Sequence, residues 1–123
     1  MLKKKILIVD DEPDLVETLK VNLERENYEC FAAYDGNSGL SRARNEMPDL
    51  IILDVMLPGI DGYMVSRLLK FDEQFEGIPI IMLTAKGQSE DREMGEQTGA
   101  DYYMTKPFST EKLLAKVKEF LGD

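Results

Sequence analysis

Leu50-Ile51-Ile52-Leu53-Asp54 is an unbroken apolar run that ends in a single carboxylate, and the residues from Val55 to Gly59 then lead the chain away. An apolar run of this length without polar alternation predicts a strand covered on both faces, as strands are in parallel α/β sheets. Asp54 then lies just outside the carboxyl end of a strand, where open α/β sheets bind ligands. The simpler alternative is that Asp54 only caps a turn, because aspartate is common where strands end.

The bulk properties describe one small intracellular domain. A chain of 123 residues can bury one hydrophobic core and is too short for two, so we expect a single domain over residues 1–123. The longest apolar runs are only as long as a strand, and no signal-peptide core follows the basic start, which predicts neither membrane insertion nor export. The one cysteine, Cys30, allows no internal disulfide and suits a reducing compartment, so we expect a cytoplasmic location.

Charge and composition exclude several kinds of site. The formal net charge of -9 argues against direct nucleic-acid binding by this domain, which would need a basic patch. The chain has no histidine, so neither a histidine metal site nor a histidine general base is available. Any bound metal must therefore be a hard ion held by oxygen ligands.

Strands and helices alternate along the whole chain. The strands are predicted over residues 5–9, 28–33, 50–54, 78–83 and 100–105. Helices are predicted after Pro13, Asp35 and Asp61, from Ser89 to Thr98, and after Ser109 or Thr110. Apolar residues recur at helical spacing in every predicted helix except the polar one from Ser89 to Thr98. The apolar stripe of the second helix includes Met47, and that of the third helix consists of Met64, Val65, Leu68 and Leu69.

Five alternations of strand and helix predict an α/β fold, a parallel sheet with helices on both faces. Right-handed crossovers place the carboxyl ends of all strands along one edge of that sheet. Polar side chains follow four of these ends, namely Asp10 and Asp11, Asp54, Thr84, and Lys106. A single polar residue at a strand end is common, but three carboxylates with a hydroxyl and an ammonium indicate a functional site.

The chemistry of this combination points to phosphate. Three neighbouring carboxylates repel one another unless a cation joins them. Mg²⁺ suits best, because it needs few protein carboxylates and keeps water or phosphate oxygens as its other ligands. Lys106 and Thr84 can both donate to an anion beside the metal. The anion that fits best is a phosphoryl group, with Asp54 as its nucleophile.

With these residues the chain resembles the receiver domains of two-component response regulators, and it is similar in extent to the chemotaxis regulator of that family. The resemblance implies a flavodoxin-like, doubly wound five-stranded sheet with strand order 2-1-3-4-5. Carried over position by position, it also implies that Asp10 and Asp11 are the acidic pair, Asp54 the phospho-acceptor, Thr84 the hydroxyl and Lys106 the lysine of the family.

The same resemblance assigns the metal ligands and the switch. It implies that Asp11, Asp54 and the backbone carbonyl of Met56 ligate Mg²⁺, with Asp10 acting through water. Tyr103 matches the switch aromatic of the family, which acts together with the hydroxyl of Thr84. The resemblance also implies that the peptide bond between Lys106 and Pro107 is cis.

The family also implies partners and an output surface. A sensor histidine kinase or phosphotransfer protein is expected to supply the phosphoryl group, and a downstream protein or attached output domain to respond. The output face is expected on the last strand and the helices before and after it, Ser89 to Leu121, with homodimerisation through it on phosphorylation as one outcome. The departure from the family pattern is the first of these helices, which has a glycine, Gly95, and only Met94 as a clear apolar residue. No enzyme activity is expected beyond self-phosphorylation and slow dephosphorylation.

Two other functions fit the same fold. A haloacid-dehalogenase-type phosphatase also uses an aspartate nucleophile with Mg²⁺, but its general acid lies two residues later, where this chain has Met56. A flavin or nucleotide binder needs a phosphate-binding loop, whereas the loop after the first strand begins with Asp10, Asp11 and Glu12, which would repel phosphate without a metal.

Overall fold

A computed structural model describes residues 2–85 and 99–123 and contains alternating strands and helices. The strands are β1 (Lys5–Val9), β2 (Glu29–Ala33), β3 (Leu50–Asp54), β4 (Ile80–Ala85) and β5 (Tyr102–Lys106). The helices are α1 (Pro13–Arg25), α2 (Gly36–Glu46), α3 (Gly62–Lys70) and α4 (Thr110–Leu121). The predicted helix from Ser89 to Thr98 lies outside the described residues.

All strand pairs are parallel, and the order across the sheet is β2-β1-β3-β4-β5, as the resemblance implied. Strand β3 lies in the centre, and each of its five residues is buried. The apolar run that opens the sequence therefore forms the middle of the sheet, because only a strand covered on both faces can consist of apolar residues throughout.

The helices cover both faces of the sheet. Helices α1 and α4 enclose one hydrophobic cluster, with Leu19 and Leu113 against Ile8 and Ile52. Helices α2 and α3 enclose the other, with Leu40 and Val65 among its members. Alternate residues of each central strand belong to the two clusters in turn, because successive side chains of a strand point to opposite faces of the sheet.

Capping side chains begin three of the helices as predicted. Asp35 accepts a hydrogen bond from the Ser38 amide at 2.7 Å, and Asp61 accepts one from the Met64 amide at 2.9 Å. The fifth predicted helix, α4, begins at Thr110 and is capped by Ser109, whose hydroxyl accepts a hydrogen bond from the Lys112 amide at 3.3 Å. These bonds satisfy amide groups that have no partner within the helix.

Several sequence-based details were wrong. Met64 and Leu68 do not belong to the buried stripe of α3, since they are 44% and 40% exposed, whereas Val65 and Leu69 are buried. The nine residues of α3 present only a narrow face to the sheet, so four apolar residues cannot all lie against it. Met47 is 45% exposed because it is the left-handed residue that ends α2 rather than part of its inner face.

The boundaries of strands β2, β4 and β5 also differ from the predicted ones, with β2 beginning one residue later, at Glu29. Strand β4 begins at Ile80 rather than Ile78, because the Ile78 amide closes a turn by donating to the Phe75 carbonyl. It continues to Ala85, so that Thr84 lies within the strand. Strand β5 runs from Tyr102 to Lys106, two residues later at its start than predicted.

Candidate functional site

The strand register brings the predicted acids to one edge of the sheet. Val9 pairs with Leu53 across β1 and β3, so the next residues, Asp10 and Asp54, lie side by side. Asp54 pairs with Leu83, and β5 ends at Lys106 beyond the neighbouring strand. The parallel topology alone therefore gathers residues that are far apart in sequence.

Lys106 joins the two buried carboxylates. Its Nζ donates a hydrogen bond to Oδ2 of Asp10 at 2.8 Å and lies 3.5 Å from Oδ1 of Asp54. Asp10 is fully buried and Asp54 is 5% exposed. A charge-assisted hydrogen bond in such surroundings is stronger than one between neutral groups, so the ammonium holds the two acids together.

Asp10 is also fixed from its other oxygen. Its Oδ1 accepts a hydrogen bond from the Glu12 amide at 2.9 Å, which turns the chain from β1 toward α1. Glu12 was not predicted as a site residue, yet its Oε1 lies 3.6 Å from the Lys106 Nζ. The signal in the sequence was its position directly after the acidic pair.

The residues present fit a hard divalent cation. Carboxylate oxygens of Asp10, Asp11 and Glu12 all lie within 4.8 Å of one another, with Asp10 buried and the other two exposed. Asp54 adds a fourth carboxylate, and a single ammonium does not balance four acids. The donor set is therefore all oxygen with excess negative charge, which is the chemistry that Mg²⁺ prefers.

Burial and the neighbouring charges shift the pKa values of Asp54 and Lys106. The pKa of Asp54 is raised from its ordinary 3.8 to about 6; burial is the largest cause, the charge of Asp10 adds to the increase, and Lys106 offsets part of it. For Lys106, burial alone lowers the pKa, but the hydrogen bond to Asp10 and the nearby carboxylates leave it raised overall. Lys106 is therefore charged at neutral pH, and the Asp54 charge is costly in the metal-free protein.

Thr84 and Tyr103 lie on one face of the sheet. Thr84 is buried and alternates along β4 with Leu83, so it projects to the same side as Met82. Tyr103 pairs with Met82 in the register of β4 and β5 and packs, half-buried, against the cluster that contains Met82. The two residues predicted to form the switch therefore share one layer of the molecule.

The remaining predicted features flank the acids. The Met56 side chain is 64% exposed just beyond the end of β3. The peptide bond between Lys106 and Pro107 is cis, as the resemblance implied. Lys86, two residues after Thr84 in the sequence, lies outside the described residues.

Residues 6–118 match the family described as "Response regulator receiver domain". The chain is also 49% identical over 120 residues to the alkaline phosphatase synthesis transcriptional regulatory protein PhoP of Bacillus subtilis, covering 98% of this chain and 49% of that protein. The chain thus spans about half the length of this curated relative.

Solved structures of similar proteins cover almost the entire chain. A response regulator from Chloroflexus aurantiacus has 35% identity and a TM-score of 0.92, covering 99% of this chain and 100% of that one. The chemotaxis response regulator CheY4 of Vibrio cholerae has 30% identity and a TM-score of 0.89, covering 97% of this chain and 99% of that one.

Proposed function

The chain belongs to the response regulator receiver domain family of two-component signal transduction, and from this premise we propose that Asp54 is its phospho-acceptor. The observation that carries the assignment is the contact of Lys106 with Asp10 and Asp54 at 2.8 and 3.5 Å. It places a cation that can bind a phosphoryl oxygen beside a buried carboxylate that can act as nucleophile.

The reaction follows from the residues at the site. A carboxylate oxygen of Asp54 attacks the phosphorus of a phosphohistidine, the phosphorus–nitrogen bond breaks, and the imidazole of the donor leaves with that electron pair and is protonated. The histidine belongs to a partner kinase or phosphotransfer protein, because this chain contains none. The product is an acyl phosphate on Asp54.

Asp11, Asp54 and the Met56 carbonyl would hold Mg²⁺, with Asp10 acting through water. The ion would neutralise charge on the phosphoryl oxygens during transfer. Asp10 is already engaged by Lys106 and the Glu12 amide, which supports an indirect role for it. Lys106 then pairs with a phosphoryl oxygen in place of Asp54, and the Thr84 hydroxyl donates to another.

The consequence of phosphorylation would be a change at the face formed by β5, α4 and the segment before β5, Ser89 to Leu121. Thr84 moving toward the phosphoryl group would open space on the layer that it shares with Tyr103. The responding partner is a downstream protein or an attached output domain, as the greater length of the PhoP relative suggests. The domain would act in the cytoplasm; in the parts of the chain that the structure describes, no helix could cross a membrane.

The test is incubation with acetyl phosphate or phosphoramidate and Mg²⁺, followed by intact mass spectrometry. Wild type should gain one acid-labile phosphoryl group, and Asp54→Asn should gain none. A full-strength adduct on Asp54→Asn would move the acceptor elsewhere. Continuous hydrolysis of the donor would favour the phosphatase alternative, because we expect no turnover beyond self-phosphorylation and slow dephosphorylation.

A further inference from the structure

The loop from Val55 to Asp61 is held against the rest of the molecule at two glycines. Gly36 is the first residue of α2 and Gly62 the first residue of α3, and each follows an aspartate that caps its helix. Both glycines are buried. The two helix starts therefore share one sequence pattern, Asp-Gly, but they contact different parts of the loop.

Gly62 packs directly on the backbone of Asp54. A Cβ atom at Gly62 would lie 2.1 Å from the Asp54 carbonyl oxygen and 2.9 Å from the Val55 Cα. The Gly62 amide donates to the Val55 carbonyl at 2.9 Å, and the Val55 amide donates to the Leu83 carbonyl at 3.1 Å. The backbone of Asp54 and Val55 is thus fixed between β4 and the start of α3.

Gly36 makes an equally close contact several residues further along. A Cβ atom there would lie 1.9 Å from the Ile60 carbonyl oxygen, and the Gly36 amide donates to the Pro58 carbonyl at 3.2 Å. Its nearest neighbour is a backbone oxygen, as at Gly62, although the Ile60 Cγ1 atom also lies 2.7 Å away, so neither contact can be relieved by moving a flexible side chain alone. Gly36 holds the far part of the loop and does not meet Asp54 among these nearest contacts.

We propose that Gly62 is a positioning residue for phosphoryl transfer, which sets the place of the Asp54 carboxylate through its contact with the Asp54 carbonyl; the proposal rests on Asp54 being the acceptor. A Cβ contact under 3.0 Å is essentially never seen, so Gly62→Ala must displace Asp54 or α3 by about 0.9 Å, the difference between 3.0 and 2.1 Å. A misplacement of about 1 Å can cost on the order of 100-fold in rate.

The rival explanation is that Gly62 only permits close packing and affects stability alone. Gly36→Ala is the matched control, because it introduces the same methyl group against a backbone carbonyl at the same position of a helix. Gly77→Ala is the baseline, since no atom lies within 4 Å of the added group. The rate constant for phosphorylation by acetyl phosphate, the Mg²⁺ dissociation constant by calorimetry and the urea midpoint are measured for each folded variant.

Gly62→Ala and Gly36→Ala should lose comparable stability, while phosphorylation slows at least about 10-fold in Gly62→Ala and less than about 3-fold in Gly36→Ala. Mg²⁺ affinity should fall in Gly62→Ala by a larger factor than in Gly36→Ala, because Asp54 and Met56 both lie at the displaced end of the loop. Equal losses in the two variants would overturn the proposal. If wild type itself gains no phosphoryl group, the assignment of Asp54 fails, and this inference fails with it.

A second pair of variants covers the case in which an alanine variant does not fold. Asp61→Ala removes the cap of α3 by deleting one hydrogen bond, from the Met64 amide. Asp35→Ala removes the cap of α2 by deleting two, from the amide and the hydroxyl of Ser38, and neither change adds an atom. Loosening the start of α3 should slow phosphorylation more than loosening the start of α2. The same rate in both capping variants would refute the positioning role.

Discussion

Asp54 carries a charge that the metal-free site does not balance. Its pKa is raised to about 6, chiefly by burial, so the folded protein holds a proton there that the unfolded chain releases near 3.8. Because the folded state binds more protons between these values, stability falls as pH rises from about 4 to 6 and the full cost is present above that range. A shift of about two units corresponds to roughly 3 kcal/mol.

Asp54→Asn should therefore stabilise the metal-free protein at neutral pH. We expect a gain of about 2–3 kcal/mol at pH 7 in EDTA, shrinking to little at pH 4, where Asp54 is protonated. Urea unfolding across this pH range measures it, with Glu73→Gln as the control at an exposed carboxylate. Added Mg²⁺ should stabilise wild type and so reduce the difference in stability between the two proteins at pH 7. A stability gain of the variant that does not change with pH would contradict the electrostatic cause.

We expect Lys106 to have two roles, one in the metal-free protein and one after phosphorylation, which a single substitution can separate. In the metal-free protein, Lys106→Ala leaves Asp10 buried without its ammonium, a loss of the kind that costs about 3–5 kcal/mol. Mg²⁺ can replace that charge, so the variant should bind Mg²⁺ measurably and recover stability when Mg²⁺ is added. Its response to beryllofluoride should be weak, because the contact with the phosphoryl oxygen, about 1.5–3 kcal/mol, is missing.

Calorimetry with Mg²⁺ and tyrosine fluorescence with beryllofluoride measure these two effects. Lys112→Ala is the control, since that lysine is exposed on α4. Spectral changes of wild-type size in Lys106→Ala would remove Lys106 from the phosphoryl-binding role.

Met56 should lengthen the life of the phosphorylated state. Hydrolysis needs a water in line with the acyl phosphate, and the exposed Met56 side chain offers such a water no hydrogen bond. Met56→Asn provides an amide that can orient water, so its phosphoryl group should be lost several-fold faster. Decay of radiolabelled phosphoprotein measures this, and an unchanged or longer lifetime would contradict the role of Met56. Lys86, two residues beyond Thr84, is expected to contribute as well.

At the scale of elements, strands could be predicted more fully than helices. The runs at β1 and β3 were predicted to the residue, because a strand buried on both faces is apolar throughout and ends where polar residues begin. The inner face of α3 could not be predicted, because Met64 and Leu68 lie at helical spacing yet outside the narrow contact with the sheet. Which apolar residues are buried depends on how the helix is rotated, and the sequence does not specify that.

The proposed switch would also depend on whole elements rather than on single residues. The predicted helix from Ser89 to Thr98 has one clear apolar residue, Met94, and a glycine that costs about 1 kcal/mol relative to alanine in a helix. An element with so little to bury is the one most easily biased between two positions. The alternative is that this helix is a solvated face and Tyr103 an ordinary half-buried residue of β5.

Hydrogen exchange with and without beryllofluoride distinguishes these two explanations. We expect protection to change around Asp54 and also from Lys86 to Tyr103, because Thr84 and Tyr103 lie on the same face of the sheet. Thr84→Ala should keep the first change and lose the second. Changes confined to the loops around Asp54 in wild type would show that the switch does not operate here.

At the scale of the whole molecule, the grouping of the candidate site residues could be predicted, because the sheet topology alone brings them together. Once five strands are parallel, residues that follow them must meet at one edge, whatever their separation in sequence. The contacts that refine the site could not be predicted in this way. The approach of Gly62 to the Asp54 carbonyl and of Glu12 to Lys106 depends on loop geometry, for which the sequence has no periodic signal.

The net charge of -9 governs any self-association of the domain. Two copies repel each other, and a phosphoryl group adds roughly -2 to each, so a phosphorylation-dependent dimer must form against electrostatic repulsion. Salt screens charges over about 10 Å at 0.1 M, so a dimer held by packed side chains should become tighter as salt rises. A dimer held by ion pairs between copies should become weaker.

We expect the beryllofluoride-activated domain to associate more strongly at about 200 mM than at about 20 mM NaCl, since screening reduces repulsion between the acidic copies. Sedimentation velocity over a range of protein concentrations measures this, and Asp54→Asn with beryllofluoride should remain monomeric in both salts. Weaker association at high salt would assign the contact to ion pairs across the interface. A monomer under all conditions would exclude the homodimer and leave a different protein, or an attached output domain, as the element that responds to phosphorylation.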